Sequence, residues 1–517
     1  MIKKIFNSRI SLLFILPFLI GSLSVLTFSP FNLTLLNFIL LPAIFLIMTY
    51  VNKKSKNVFR KKPFLINFFF VGYFFGFGFF LFCNYWISYS LTFDESFKWL
   101  IPLSLLLIPS FLALFFGIIF FLIGPFLRNN IQSILIFSLA LSLIDYVRGK
   151  VLTGFPWNLW SYSFSWFTEL LQVLNYIGLY AFNLIIICIF CLPAYFFFRH
   201  SNKIYLLCFY ITFFLAAYTF GSYNINKNEN YLKNLPEEQL LNIKIISPNL
   251  DLKYNLENEE VNKILDDLIR YSEPDKDKKT IFVWPEGAFA GFYLNDLYEY
   301  KNKIQKAFSS EHLIIFGSNT FELETQKVFN SLVVINNEFK VIYQYNKRKL
   351  VPFGEFLPFE NKLKNFGLKK ITEGYGSFSK GKQQKIFKYN DVFFLPLICY
   401  EVIFPELIQT TQNNMNLIIN ISEDAWFKDS IGIQQHFSKA VFRSIEANRF
   451  LIRAANKGIS AFINNKGIVI KKLDFNERGN IEMNVPIINN QYKNKNDLIF
   501  FILLFTFIII FLLKKNE

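Results

Sequence analysis

Apolar positions are spread unevenly along the chain. Long, nearly unbroken runs fill residues 1–222 and return at 498–513, and a polar middle section lies between them. A helix needs about 20 apolar residues to cross a hydrocarbon layer of about 30 Å. Runs of that order occur at 10–28, 31–51, 64–87, 99–125, 131–147, 170–198, 204–222 and 498–513, giving eight candidate spans. The last run is short, but Ile499 to Leu513 is almost entirely Phe, Ile and Leu and is followed by Lys514 and Lys515. It reads as an anchor rather than a core helix. The first run has the look of a signal-peptide core, yet no small-residue cleavage site follows and the next run begins almost at once, so it reads as retained.

In the polar section the pattern changes period. Short β-rich runs are expected at 242–247, 280–284, 313–318, 331–336, 341–345, 392–399, 417–422, 459–463 and 468–472, with helices at 257–272, 294–309, 405–413 and 434–455. Strands alternating with helices predict an α/β domain. No internal repeat is visible. The expected organisation is a membrane domain over 1–222 with seven transmembrane helices, an extracytoplasmic domain over 223–497, and a C-terminal transmembrane helix with a cytoplasmic tail over 498–517.

Composition agrees with this division: 53% of the 517 residues are hydrophobic and 19% aromatic, too many for an ordinary soluble enzyme. The formal net charge of +16 points less to nucleic acid than to topology, because no Arg-rich helix or aromatic-basic motif stands out. Lys3, Lys4 and Arg9, the cluster from Lys53 to Lys62, Arg128, Arg199, Lys203, Lys514 and Lys515 all fall on one side if every run crosses. Basic short loops stay in the cytoplasm. Both termini are therefore expected there and the polar domain on the opposite side. Charges within the spans are few, Asp145 being the exception, which argues against a transport pathway.

Candidate chemistry sits at strand ends, where α/β folds place their sites. Cys399 is the only cysteine of the polar domain; Cys83, Cys188, Cys191 and Cys208 lie in apolar segments. It has no disulfide partner within its domain and no second soft ligand, so no metal site is expected. A nucleophile and a plain buried cysteine are both open. Glu286 follows the apolar run Ile281–Trp284 and Pro285, which ends a strand ladder. Lys347 and Glu355 lie on a loop punctuated by Pro352 and Gly354, and Glu401 follows Cys399 by two residues. Taken singly, each charge reads as a solvated loop group, and Glu401 as the start of a helix. His436 reads as a capping or packing residue.

Taken together, the order Glu, Lys, Cys within Trp284-Pro285-Glu286, Asn346-Lys347 with Leu350-Val351-Pro352-Phe353-Gly354-Glu355, and Cys399-Tyr400-Glu401 resembles the nitrilase superfamily. The spans, with Thr153-Gly154-Phe155-Pro156-Trp157, Asp424-Ala425-Trp426-Phe427 and Gln435-His436-Phe437, are similar to the apolipoprotein N-acyltransferase family within it, over nearly the whole chain. One stretch departs: the family's Ser-Asn-Asp-Ala-Trp-Phe-Gly reads Ser422-Glu423-Asp424-Ala425-Trp426-Phe427-Lys428 here.

The resemblance implies a multi-span α-helical membrane domain joined to an α/β nitrilase-like α-β-β-α sandwich. It implies Glu286 as general base, Lys347 as triad lysine and Cys399 as nucleophile, with Glu355, Tyr400 and Glu401 in support and Trp157 and Trp426 as candidates for positioning substrate. The implied activity is acyl transfer, through a thioester on Cys399, from a phospholipid donor to the N-terminal amine of the S-diacylglyceryl cysteine of an apolipoprotein acceptor. It would take place at a bacterial inner membrane, with the catalytic domain on the periplasmic side. No cofactor is implied and a monomer is expected. A membrane-tethered amidase or thioester hydrolase using the same triad is the alternative. The segments 288–293 and 353–359 are open to two readings, an acyl path and ordinary core. Trp157, Trp160, Tyr162 and Trp166 are expected as an aromatic belt at the outer interface.

Overall fold

Every apolar run becomes helical. The computed structural model describes residues 8–58, 65–198, 203–253, 256–358, 377–383, 386–409, 415–488 and 496–513. Among the described residues, six helices are long and apolar enough to cross a membrane: Thr34–Lys54, Leu65–Thr92, Glu95–Phe126, Ile131–Lys150, Leu179–Phe197 and Lys203–Lys233. Two shorter apolar helices, Ser11–Thr27 and Asp497–Leu513, fall where the first and last runs were expected. The run at 170–198 is not one helix. Leu174–Ile177 ends at Gly178, whose φ of 77° no helix accommodates, and the long helix starts only at Leu179.

The chain forms two units, one of residues 1–92, 96–224 and 495–517, the other of 93–95 and 225–494. In the helical unit, Leu106, Leu107, Ile118 and Leu122 are exposed, an apolar surface that lipid covers. The aromatic belt is not what forms at 157–162. Trp157, Trp160 and Tyr162 are buried, Trp157 against Trp86 (ring centroids 4.8 Å apart) and Trp160 stacked on Phe79 (5.0 Å), and only Trp166 is exposed. Asp145 is likewise internal: it accepts from Arg148 (2.9 Å) and Asn183 (3.0 Å), and Arg148 also donates to the Phe155 carbonyl. The one expected intramembrane charge is thus paired, and it pins the Gly-Phe-Pro loop.

The second unit contains two six-stranded sheets. In the first, β1 (Leu240–Ser247), β2 (Thr280–Val283), β3 (His312–Glu322), β4 (Lys327–Asn336), β5 (Val341–Asn346) and β12 (Gly479–Pro486) run in the order β12-β1-β2-β3-β4-β5. In the second, β6 (Phe387–Tyr389), β7 (Val392–Ile398), β8 (Leu417–Glu423), β9 (Phe450–Asn456), β10 (Ser460–Ile463) and β11 (Val469–Leu473) run in the order β11-β10-β9-β8-β7-β6. Each has a parallel centre, β1-β2-β3 and β7-β8-β9, with antiparallel flanks. The two sheets share one pattern of strand directions although the sequence shows no repeat. They pack face to face, with Asn258–Ser272 outside the first and Ile431–Ala447 outside the second, the α-β-β-α sandwich expected.

Local signals explain most boundaries. The helix Asn258–Ser272 buries Val261, Leu265, Leu268 and Ser272 at helical spacing, is boxed at its start by Glu257 and Glu260, and ends at the left-handed Glu273. The expected helix 434–455 is too long. It stops at Ala447 because Asn448 is left-handed (φ 52°), a C-terminal cap, and Phe450–Asn456 forms β9. With both faces of β9 buried, its apolar run carries no alternation to separate strand from helix. The strand β12 was missed because Asn480, Glu482 and Asn484 make it polar; it is an edge strand on β1. Of the expected helix 405–413, Glu406–Gln409 is helical and 410–413 lies outside the described residues. The expected helix 294–309 is a single 3-10 turn, Asp296–Tyr300, followed by Lys301–Ala307.

Candidate active site

Three strand ends deliver the expected residues to one place. Glu286 lies just past β2, Lys347 directly after β5 and Cys399 directly after β7. Pro396 lies within β7, where β8 pairs along one side and, among the described residues, β6 pairs with Val392 to Phe394 on the other. Cys399 then takes φ 48°, a left-handed conformation costly for a side-chain-bearing residue. Such a turn lifts a side chain off a strand end, as in other strand-to-helix nucleophile turns.

Lys347 is 1% exposed and lies between two carboxylates, with Nζ 2.8 Å from Glu355 Oε1 and 3.3 Å from Glu286 Oε1. Its backbone is fixed on both sides, its N–H donating to Asn330 O (2.8 Å) and its carbonyl accepting from Gly381 (2.9 Å). Burial opposes its charge, but attraction to Glu286, Glu355 and Cys399 outweighs burial and raises its pKa. Lys347 is therefore a fixed cation rather than a solvated loop group.

Cys399 responds in the opposite sense. Burial and the charge of Glu286 push its thiol up, and Lys347 only partly offsets them. The shift favours the protonated thiol. Its Sγ lies 3.9 Å from the Glu423 carbonyl. Glu286 is buried, its Oε1 accepting from Asn330 Nδ2 (2.7 Å) and its Oε2 from the Glu423 N–H (3.0 Å).

The supporting residues divide by role. Glu355 holds Lys347 and is itself tied by Val351 N–H (2.9 Å) and Asn330 Nδ2 (2.8 Å). Glu401 is fully buried and accepts from the N–H groups of Arg348 (2.7 Å), Lys349 (3.1 Å) and Ile398 (2.9 Å) and from Tyr345 Oη (2.9 Å). It thus ties the lysine loop to the cysteine turn, a tighter task than greeting a helix dipole. Burial raises its pKa against those bonds. Tyr400 packs edge-on against Phe404 (5.0 Å).

Trp157 belongs to the helical unit, and Trp426 is half-buried in the catalytic unit with its ring edge on Phe93 (5.1 Å). Ala288 and Phe289 are core beneath the first sheet, whereas Phe353 is 49% exposed; residue 359 lies outside the described residues.

The sequence reading missed Asn330, whose single amide nitrogen joins both carboxylates. A polar Asn at the start of the apolar run of β4 was the available signal. It also missed the network on the second sheet, in which Asp424 accepts from Arg453 (2.7 Å) and Ser422 (2.7 Å) and contacts His436 Nδ1 (3.0 Å). Burial works against the Asp424 charge, but Arg453 and His436 hold its carboxyl well below the usual range. His436 is buried in this network. Among the described residues no cluster of His, Cys, Asp and Glu has the arrangement of a metal site.

A two-sheet sandwich carrying a buried cysteine, lysine and glutamate, on a chain that also forms a bundle of apolar helices, defines a membrane-bound enzyme of the carbon-nitrogen hydrolase class. The family model described as Carbon-nitrogen hydrolase matches residues 259–487, and the one described as Apolipoprotein N-acyltransferase N-terminal domain matches residues 20–192. The apolipoprotein N-acyltransferase of Brucella melitensis biotype 1 is 30% identical over 481 residues, 91% of this chain and 89% of that one. That of Rhizobium leguminosarum bv. trifolii is 32% identical over 427 residues, covering 80% and 79%. That of Rickettsia prowazekii is 30% identical over 497 residues, covering 93% and 94%. The chain belongs to the apolipoprotein N-acyltransferase family.

Proposed function

We propose that this chain transfers a fatty acyl group from a phospholipid to the N-terminal amine of the S-diacylglyceryl cysteine of apolipoproteins, in two half-reactions through a thioester on Cys399. The observation that carries the reading is the convergence of three strand ends, which sets the fully buried Lys347 3.3 Å from Glu286 and places the Glu423 backbone against both Glu286 and Cys399. In the first half-reaction Glu286 takes the thiol proton as sulfur attacks the ester carbonyl. Lys347 faces the oxyanion, the C–O bond breaks, and the proton returns to the departing lysophospholipid hydroxyl. In the second, the acceptor amine attacks the thioester, Glu286 takes its proton, the C–S bond breaks and the sulfur is reprotonated.

Both substrates are lipids held in a bilayer, which accounts for joining the catalytic unit to membrane helices. We place the protein in a bacterial inner membrane with the catalytic unit on the periplasmic side, from the basic residues of the short loops. An impermeant thiol reagent should then label a cysteine introduced at Glu324 in cells with a permeabilised outer barrier and spare one at Lys54; reversed labelling refutes the orientation.

The test of function is the intact mass of the purified protein after incubation with phospholipid, before and after addition of a diacylglyceryl-cysteine peptide. An acyl adduct on Cys399 that moves to the peptide amine supports transfer. Release of free fatty acid with the peptide unmodified supports the hydrolase alternative.

A further inference from the structure

Glu423 reaches the active site through its backbone and its side chain at once. Its N–H donates to Glu286 Oε2 (3.0 Å) and its carbonyl lies 3.9 Å from Cys399 Sγ, so one residue's backbone touches both base and nucleophile. The side chain is buried. Its Oε1 accepts from the Ala425 N–H (3.0 Å), and Asn456 Nδ2 donates to both oxygens (3.1 and 2.9 Å). Asn456, at the end of β9, is itself held by Leu250, whose N–H donates to Oδ1 (2.7 Å) and whose carbonyl accepts from Nδ2 (3.0 Å). The carboxyl therefore ties the ends of β8 and β9 to the segment after β1. Space for it comes from Gly287, the residue after Glu286. A Cβ there would fall 2.4 Å from Glu423 Oε2, and φ of 78° at Gly287 also disfavours a side chain.

The two neighbouring carboxyl groups differ in company. Glu286 has the Lys347 cation against it, whereas the side-chain partners of Glu423 are neutral amides. Burial pushes the Glu423 carboxyl well above the usual range, and the charges of Glu286 and Asp424 push it further, against the bonds from Asn456 and Ala425.

Resting on the acyl-transfer reading, we propose that Glu423 is a positioning residue: clamped by Asn456 and the Ala425 N–H, it fixes the backbone that hydrogen-bonds Glu286 and faces Cys399. The test is single-turnover acylation of the full chain in detergent, read by intact mass over a range of phosphatidylethanolamine concentrations, for wild type and Glu423→Gln, Glu423→Asp and Glu423→Ala. Gln keeps the length and the one oxygen that accepts from both Ala425 and Asn456, and should acylate within about tenfold of wild type. Ala lacks the clamp and Asp is too short to reach it. Both should lose on the order of 10²-fold in saturating rate, the scale of a small misplacement of reacting groups, with the half-saturating lipid concentration unchanged.

A Gln variant as slow as Ala overturns the clamp, since Gln keeps the oxygen bound by Ala425 and Asn456. An Ala variant near wild type, or one altered only in half-saturation, overturns the positioning role. If Ala does not fold, as judged by gel filtration, the contrast of Gln with Asp decides in the same way. A wild-type protein that forms no adduct overturns the acyl-transfer reading and this proposal with it.

Discussion

Replacing Lys347 by Met should damage stability and chemistry separately, and the structure sets the scale of each. Lys347 Nζ lies 2.8 Å from Glu355 and 3.3 Å from Glu286. At an effective dielectric constant of about 20, those contacts amount to about 6 and about 5 kcal/mol of attraction. Desolvation takes back several kcal/mol per ion. Removing one partner of a buried pair costs about 3–5 kcal/mol net, because the remaining charge stays buried. Here two carboxylates remain, both held by the one Asn330 amide. For a unit of this size the apparent unfolding midpoint of the catalytic domain should fall by roughly 6–20 °C. Lys347→Arg keeps the charge but presents a wide planar group in a fully enclosed slot. It should retain more of the stability yet lose roughly 10²–10³-fold in adduct formation, the range for loss of one oxyanion donor. Melting followed by intrinsic fluorescence and single-turnover mass spectrometry measure the two effects. A Lys347→Met protein that melts with wild type and still forms the adduct would refute both the buried ion pair and the oxyanion role.

Cys399→Ala and Cys399→Ser should abolish the acyl adduct while leaving the protein folded and membrane-inserted; turnover retained in the alanine variant would sink the covalent route. Glu286→Gln keeps the size of the base but removes its proton acceptance and replaces one accepting oxygen by a donor, so acylation should slow by about 10²–10⁴-fold with lipid binding little changed, as checked by equilibrium binding. Because the Cys399 pKa is raised, alkylation of the resting thiol by iodoacetamide should keep climbing with pH beyond the ordinary thiol midpoint of about 8.5; a plateau at or below that midpoint contradicts the neutral-thiol state. The linked stability has a fixed sign: the folded protein holds that proton more tightly than the unfolded chain, so this contribution is full below about pH 8.5 and is lost as pH rises. Gly287→Ala should slow acylation, since its Cβ collides with the Glu423 carboxyl and its φ is left-handed; a variant of normal rate would show that the Glu286 turn yields freely.

Legibility in the sequence followed the strength of each physical signal. Long apolar runs forced helices at every expected span; the run broken by Gly178 was split, and the helix of the run at 204–222 continues to Lys233. In the catalytic unit, strands with clear apolar bounds such as β2, β7 and β8 were read nearly residue for residue. The errors fell where a strand is buried on both faces, as in β9, or polar on an edge, as in β12. In neither does a period of two survive along the chain. The belt at Trp157, Trp160 and Tyr162 failed for a related reason: aromatic residues beside a Gly-Phe-Pro break suit a membrane interface and a helix-bundle interior equally well, and only packing against Trp86 and Phe79 distinguishes the two.

The site shows the same limit from the other side. Glu286, Lys347 and Cys399 were legible because each ends an apolar strand, and because their order on the chain resembles that of a known family. What the order could not convey is how few groups connect them. Asn330 Nδ2 is shared by Glu286 and Glu355, and the Glu423 backbone by Glu286 and Cys399. Both are buried polar residues in largely apolar strands, positions where a buried polar side chain persists only if its hydrogen bonds are met. A polar residue inside an otherwise apolar strand, close in the fold to a strand-end nucleophile, is therefore the sequence signal most worth pursuing in this chain. Asn330→Leu should test it sharply. The variant nearly keeps the volume and deletes the one side-chain donor common to both carboxylates besides Lys347. It should slow adduct formation while the stability loss stays below that of Lys347→Met; an Asn330→Leu enzyme with wild-type acylation would mean that the lysine suffices to hold the base without the amide.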